Sequence, residues 1–396
     1  MKKFVALLLT AALVVVCCVG LASCSNETGD DRVVTIENKT IKIGVIGPFD
    51  GATTAKYGMP VRDSVKLAIE QLSANGILNG YTVEIIEKNT LGDATSATSM
   101  FKELIEAGAV AVVGPVLTGE TVAVTTIANE EGIVMVTPSA TGDKVTTESD
   151  YVFRTCFKDS DQGVKAADYA LAHGYTKVAA LYATGDDYSK GLYEAFKKQC
   201  EKNGITIVNT QSSTTIDKET TFDSQLTSIA NSDAQLLFAP YYYEAADSLI
   251  IPVVRQKGFT GVIMGGDGYD GKMGSASDKT AYEKVIYTNH NQASDAFKAA
   301  YAAKGYGEEL NVFGGLAYDA ANILFKAIEK SLKVADDGKV TISGSDLQKN
   351  MAATANYQGV TGTITFDATG TKGAEDIDIM EYYVDNGEVK TRKVTD

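Results

Sequence analysis

Short apolar runs rich in β-branched residues recur along this chain, each followed by a longer stretch with helical spacing. Residues 41–46, 82–86, 110–113 and 133–136 have strand length. Between them, Val61, Val65, Ala68, Ile69 and Leu72 fall on one helical face, as do Ala97, Met100, Phe101, Leu104 and Ile105. Such alternation implies parallel βαβ units. The strands lack clean polar alternation, as they must if both faces of a sheet are covered. The pattern repeats with strands at 178–182, 206–208, 236–238 and 262–264 and helices at 163–172, 189–203, 220–231 and 244–257. Two similar α/β lobes follow. Helical segments at 294–304, 314–333 and 345–353 come next. Strand-like residues 361–366 and 379–384 close the chain, with Asp385-Asn386-Gly387 as a hairpin turn.

Composition removes several function classes. A length of 396 residues exceeds one compact core. The net charge of −15, with no basic block, argues against a nucleic-acid partner. His173 and His290 are the only histidines, which excludes a histidine-rich zinc site. No cofactor or metal is expected. No nucleophile-elbow, Ser-x-x-Lys or phosphate-loop pattern occurs, so the chain is not read as an enzyme. Asp186 and Asp187 form an acidic pair, read as a solvated loop.

The amino terminus carries its own signal. Met1, Lys2 and Lys3 precede an apolar stretch to Leu21, then Leu21-Ala22-Ser23-Cys24 and a polar switch. A basic start, small residues before Cys24 and the switch fit a secretory signal better than a membrane span. The string ending at Cys24 resembles the lipobox of bacterial lipoproteins, which implies cleavage before Cys24 and acylation of its thiol. Residues 1–23 are then the signal peptide, 24–40 a polar tether, and the protein sits lipid-anchored on the extracytoplasmic side of the cell membrane. Export permits a disulfide, but Cys156 and Cys200 are read as small buried residues.

The strand ends carry the functional information. Gly47-Pro48, Gly114-Pro115, Thr137-Pro138-Ser139, Ala239-Pro240 and Gly265-Gly266-Asp267-Gly268 occupy the same place in successive units. In open parallel sheets, ligands bind beyond the carboxyl ends of strands. Thr118 opens a helical stretch, either as its cap or as a donor to a ligand carboxylate. Ser139 and Thr141 add hydroxyls. Asp267 either marks an Asp-Gly turn or presents an anion to an ammonium. Tyr57, Tyr188, Tyr241, Tyr242, Tyr243 and Tyr269 supply rings to enclose an apolar side chain. One lobe offers donors to a carboxylate and the other an anion to an ammonium. Together they describe a site for a free α-amino acid.

Several motifs extend the reading: Ile41-Lys42-Ile43-Gly44, Tyr57-Gly58, the run from Gly132 to Thr141, Phe153-Arg154-Thr155 with the run from Asp159 to Gly163, Tyr188-Ser189-Lys190-Gly191, and Gly265 to Gly268. On these the chain resembles the leucine/isoleucine/valine-binding protein family, the amino-acid receptors of ABC importers. The resemblance implies the type I periplasmic-binding-protein fold: two Rossmann-like lobes with parallel sheets joined by three hinge crossings, near 157–160, 287–291 and 366–370. The amino-terminal lobe then takes 41–158 plus 290–366, and the carboxy-terminal lobe 159–289 plus 367–396. The family's carboxylate contacts fall on Thr118, Ser139, Ala140 and Thr141, its ammonium contact on Asp267, and its aromatic positions on Tyr57, Tyr188 and Tyr241. Implied partners are leucine, isoleucine or valine, an ABC permease with its ATPase subunits, and the membrane through the lipid anchor; the chain is expected to be a monomer. The first-lobe disulfide of some members has no counterpart. The alternatives are a ligand-sensing receptor domain, or a binding protein for a small amide, urea or an aromatic acid.

Overall fold

The computed structural model describes residues 31–395 apart from 79, 308 and 374–376; the signal segment and Cys24 lie outside them. Two sheets organise the chain. The first holds five parallel strands in the spatial order Thr82–Asn89, Thr40–Gly47, Ala111–Val113, Val134–Thr137, Val152–Arg154. The second is ordered Glu388–Lys393, Asp378–Asp385, Val285–Asn289, Val262–Gly265, Leu236–Phe238, Lys177–Ala183, Thr206–Ser213. Its five earlier strands are parallel and the two from the end of the chain are antiparallel. Counted in chain order, each parallel set runs 2-1-3-4-5. In this order the connections leave strand 1 in opposite directions, which opens a crevice beyond the strand ends.

The expected periodicity becomes burial. In the helix Ala55–Ala74, residues Val61, Val65, Ala68, Ile69 and Leu72 are all buried. In Ala94–Glu106, Ala97, Phe101 and Leu104 are buried while Met100 and Ile105 lie at the margin. Asp186 is not a solvated loop residue. It caps the helix Asp187–Asn203 by accepting from Ser189 N at 2.8 Å, and Gly204 ends that helix at φ 71°. The hairpin at Asp385 forms as read, with Asn386 at φ 52° and Gly387 at φ 81°.

The chain passes between the sheets three times. It leaves the first after Arg154 and enters the second at Lys177 through the helix Asp159–Ala172. After Asn289 it returns through the helices Asp295–Ala303 and Val312–Ser331, the latter packed on Ala55–Ala74. After the hairpin Tyr357–Gly359 with Gly362–Ile364 it goes back to Asp378–Asp385. Thr371 in this last passage bridges to Arg154 at the end of the first sheet.

Two further features depart from expectation. The tether does not extend to residue 40. Val33–Thr35 pairs antiparallel with Val340–Ser343, and Ile36 is buried, because alternate apolar residues there find a partner strand far along the chain. Val285–Asn289 is a strand that periodicity does not reveal, since it ends in Thr288 and Asn289, both buried and hydrogen-bonded. Cys156 and Cys200 are free and buried, and burial pushes both thiols up to about 12. No described helix is long and apolar enough to cross a membrane.

Candidate functional site

A cavity with about 300 Å³ of space, part of it open to solvent, lies where the strand ends of both sheets face each other. Its lining comprises Tyr57, Val116, Leu117, Thr118, Ser139, Thr141, Tyr188, Tyr242, Asp267, Gly268 and Phe313. The wall has an apolar body with a few polar groups, as small-molecule sites do.

The first sheet supplies hydroxyls. Thr118 is the first residue of the helix Thr118–Glu130, entered through an extended Leu117, so Thr118 is inside the helix and not its cap. Its Oγ1 accepts from Gly142 N at 3.2 Å and keeps its own proton to give. Ser139 differs from expectation: its Oγ donates to Val116 O at 2.7 Å, so in this arrangement it offers lone pairs to the cavity. Thr141 Oγ1 is buried with no hydrogen-bond partner.

Arg154 fixes this loop. Wholly buried, it donates from Nη1 to the carbonyls of Thr141 at 3.0 Å and Gly142 at 2.7 Å, from Nη2 to Thr146 Oγ1 at 3.3 Å, and from Nε to Thr371 Oγ1 at 2.9 Å. Ala140 is turned into the protein. Its N–H donates to Thr137 Oγ1 at 3.1 Å and its carbonyl faces Arg154 and Cys156, so its side chain does not line the cavity as expected.

The second sheet supplies the anion. Asp267 follows the strand Val262–Gly265 and is buried. Its N–H donates to Gln162 Oε1 at 3.0 Å, and its Oδ1 accepts from Gln162 Nε2 at 3.0 Å. Thr288 Oγ1 holds the same Gln162 oxygen at 2.7 Å. His290 Nε2 lies 3.3 Å from Asp267 Oδ2. Burial holds His290 below the usual histidine range, so it is neutral at pH 7, stacked on Phe157. Asp267 therefore faces no Lys or Arg at ion-pair distance among the described residues.

The flanking glycines admit this close packing. A Cβ on Gly266 would sit 2.5 Å from Leu192 Cδ2 and 2.6 Å from Tyr188 Oη. One on Gly268 would sit 2.9 Å from Tyr188 Oη and 3.0 Å from Tyr241 O. Tyr57 Oη donates to Gly268 O at 2.7 Å, while Gly268 N donates to Tyr188 Oη at 3.0 Å. Two tyrosines thus grip the peptide beside Asp267.

Of the tyrosines, Tyr57 and Tyr188 reach the cavity, and Tyr241 does not. Tyr241 is fully buried, bonds Ser213 Oγ at 2.7 Å and packs edge-on against Phe222. The next residue, Tyr242, faces the cavity instead and stacks on Tyr188 at 5.6 Å. Tyr269 is buried beside Tyr287, away from the lining. Gln162 lies in the motif from Asp159 to Gly163, but its role as the holder of Asp267 had no local signal. Phe313, from the helix Val312–Ser331, had none either.

A family model described as periplasmic binding protein matches residues 40–388 of this chain. The chain belongs to that family. It is 29% identical over 353 residues to a Leu/Ile/Val-binding protein homolog of Brucella melitensis, covering 88% of this chain and 92% of that one. It is 30% identical to the Leu/Ile/Val-binding protein BraC3 of Rhizobium johnstonii, covering 83% of this chain and 88% of that one. Among solved structures it is similar to the branched-chain amino acid transporter substrate-binding protein LivJ of Streptococcus pneumoniae in complex with isoleucine. That match has a TM-score of 0.76 and 27% identity, covering 90% of this chain and 99% of that one. In this periplasmic binding protein the cavity between the two sheets combines a hydroxyl-bearing wall with an unneutralised carboxyl. Among the described residues no cluster of His, Cys, Asp or Glu is arranged to hold a metal.

Proposed function

We propose that this protein is the extracytoplasmic substrate-binding lipoprotein of an ABC importer and that it binds a free α-amino acid, leucine, isoleucine or valine, in the cavity between its lobes. The observation that carries this reading is the convergence of Thr118 and Thr141 from one side and Asp267 from the other on one small cavity. The hydroxyls and the start of the helix Thr118–Glu130 suit a carboxylate. Asp267, with a neutral histidine as its neighbour, suits an ammonium. Val116, Leu117, Tyr242 and Phe313 suit an apolar side chain and offer it no charge partner. An aromatic acid or urea would leave Asp267 buried without a cation, which disfavours those ligands.

The lobes are 41–158 plus 290–366 and 159–289 plus 367–396, hinged where the chain passes between sheets. Closure over the ligand traps it and creates the surface that the permease reads. Thermal unfolding of the mature protein with each of the twenty amino acids tests the reading. Leucine, isoleucine or valine raises Tm by mass action; no shift with any of them sinks it. Cys24→Ala tests the anchor: the variant leaves the membrane fraction, whereas retention there would assign anchoring to the apolar segment.

A further inference from the structure

The wall that offers hydroxyls has a buried positive charge behind it. Arg154 ends the strand Val152–Arg154 and is wholly buried. Its side chain donates to carbonyl and hydroxyl oxygens: Thr141 O, Gly142 O, Thr146 Oγ1 and Thr371 Oγ1, and at 3.5 Å to Ala140 O. None of the ion pairs among the described residues includes it. A guanidinium keeps its charge when buried. Such a charge is costly in a dry interior unless an anion or a set of oriented dipoles answers it. Asp159 stands on the same side, its N–H donating to Thr141 O at 2.9 Å. Burial pushes its carboxyl well above the usual carboxylate range, so it does not supply the counter-charge.

The bonds lead from the guanidinium to the cavity. Thr141 O and Gly142 N are the two ends of one peptide group. Arg154 Nη1 donates to that oxygen at 3.0 Å, and that N–H donates to Thr118 Oγ1 at 3.2 Å. Thr118 lines the cavity. A charged donor at the carbonyl draws electrons from the N–H and makes it a stronger donor. A hydroxyl that accepts such a bond gives its own proton more strongly in turn. The opposite wall is the complement, since Asp267 has Gln162 and a neutral histidine as its neighbours. One side of the cavity therefore has an unneutralised cation behind it, and the other an unneutralised carboxyl at its face.

We propose that Arg154 is a positioning residue for the ligand's carboxylate: its charge, passed through the Thr141–Gly142 peptide to the Thr118 hydroxyl, makes that hydroxyl an anion-binding donor and sets which way round a zwitterion lies. The carboxylate turns to Thr118 and the ammonium to Asp267. The assignment rests on the amino-acid reading of the cavity and names the charge behind its negative end.

L-leucine, and L-leucinol with a hydroxymethyl group in place of the carboxylate, are titrated into the wild type and four variants. The readout is the ratio of the two affinities, which a general loss of packing leaves unmoved. Arg154→Gln keeps a donor and removes the charge, whereas Arg154→Lys keeps the charge. The ratio falls about tenfold in Arg154→Gln, the difference between a charged and a neutral hydrogen bond. It stays near the wild-type value in Arg154→Lys. Thr118→Val lowers it too, and Arg154→Gln added to Thr118→Val lowers it no further. Equal losses for both ligands in Arg154→Gln make the residue merely structural and overturn the proposal. A double variant whose ratio falls by the product of the single effects overturns the route through Thr118. Where Arg154→Gln does not fold, Arg154→Lys decides: a ratio as low as that of Thr118→Val overturns the proposal, and a ratio near the wild-type value supports it. Leucine binding with unaltered ratios overturns this assignment alone, whereas a wild type that binds neither ligand overturns the amino-acid reading and this assignment with it.

Discussion

Tyr57 and Gly268 stand 211 residues apart and are joined by a 2.7 Å hydrogen bond from the phenol to the glycine carbonyl. The same phenol accepts from Tyr243 N at 3.0 Å. Tyr57 lies in the helix Ala55–Ala74 beside the first sheet, and its partners lie in the helical turns Asp267–Tyr269 and Tyr243–Ala245 that follow strands of the second. A parallel link runs from Val312 N to Asp270 Oδ2 at 2.7 Å. These bonds connect the two sides of the cavity.

Tyr57→Phe keeps the ring contacts with Tyr242, Tyr243 and Phe313 and removes only these bonds. It leaves a buried N–H and a buried carbonyl unpaired, at a cost of about 1–3 kcal/mol for such groups. Leucine affinity measured by titration calorimetry falls accordingly, with faster ligand release. Unchanged affinity would mean that these bonds do not stabilise the bound form.

Asp267→Ala removes the carboxyl proposed to meet the ligand's ammonium. Loss of one partner from a buried charge pair costs about 2–5 kcal/mol of binding. Affinity within error of the wild type takes Asp267 out of the site.

Gly268→Ala introduces a methyl group that meets Tyr188 Oη at 2.9 Å, Tyr241 O at 3.0 Å and Tyr242 Cδ1 at 3.2 Å. Overpacking of this kind costs about 1–3 kcal/mol. Because the peptide it disturbs is gripped by Tyr57 and Tyr188, both Tm and leucine affinity fall. A variant with wild-type values for both shows that the loop yields freely.

Stability falls as pH rises through neutrality. Burial pushes Glu120, which accepts from Thr90 Oγ1, and Glu244 from the ordinary 4.5 up to about 7. A carboxyl with a raised folded value binds more protons folded than unfolded between those limits, so its stabilising contribution is full below 4.5 and is lost as pH rises through about 7. His290 acts in the opposite sense below 6.5, since its folded value is lowered. The two glutamates outnumber it, and Tm measured without ligand declines from mildly acidic to mildly alkaline pH. Glu120→Gln reduces that decline; an identical profile in the variant removes Glu120 as a cause.

The sequence by itself determined the alternation of strands and helices, the two lobes' shared pattern, and the strand ends where Thr118, Thr141 and Asp267 emerge. Those properties are local: a periodicity of apolar residues sets an element and its buried face, and glycine or proline sets where a strand stops. The tertiary structure alone decided which of two adjacent tyrosines enters the cavity. Tyr241 found Ser213 and Phe222, so Tyr242 turned toward Tyr188. It alone decided that Ser139 gives its proton to Val116, that Ala140 faces inward, and that Gln162 and His290 hold Asp267. It alone paired Val33–Thr35 with a strand more than three hundred positions onward. Each of these rests on partners brought together from distant parts of the chain, and a hydrogen bond or ring contact between distant residues leaves no periodic trace in the segments that make it.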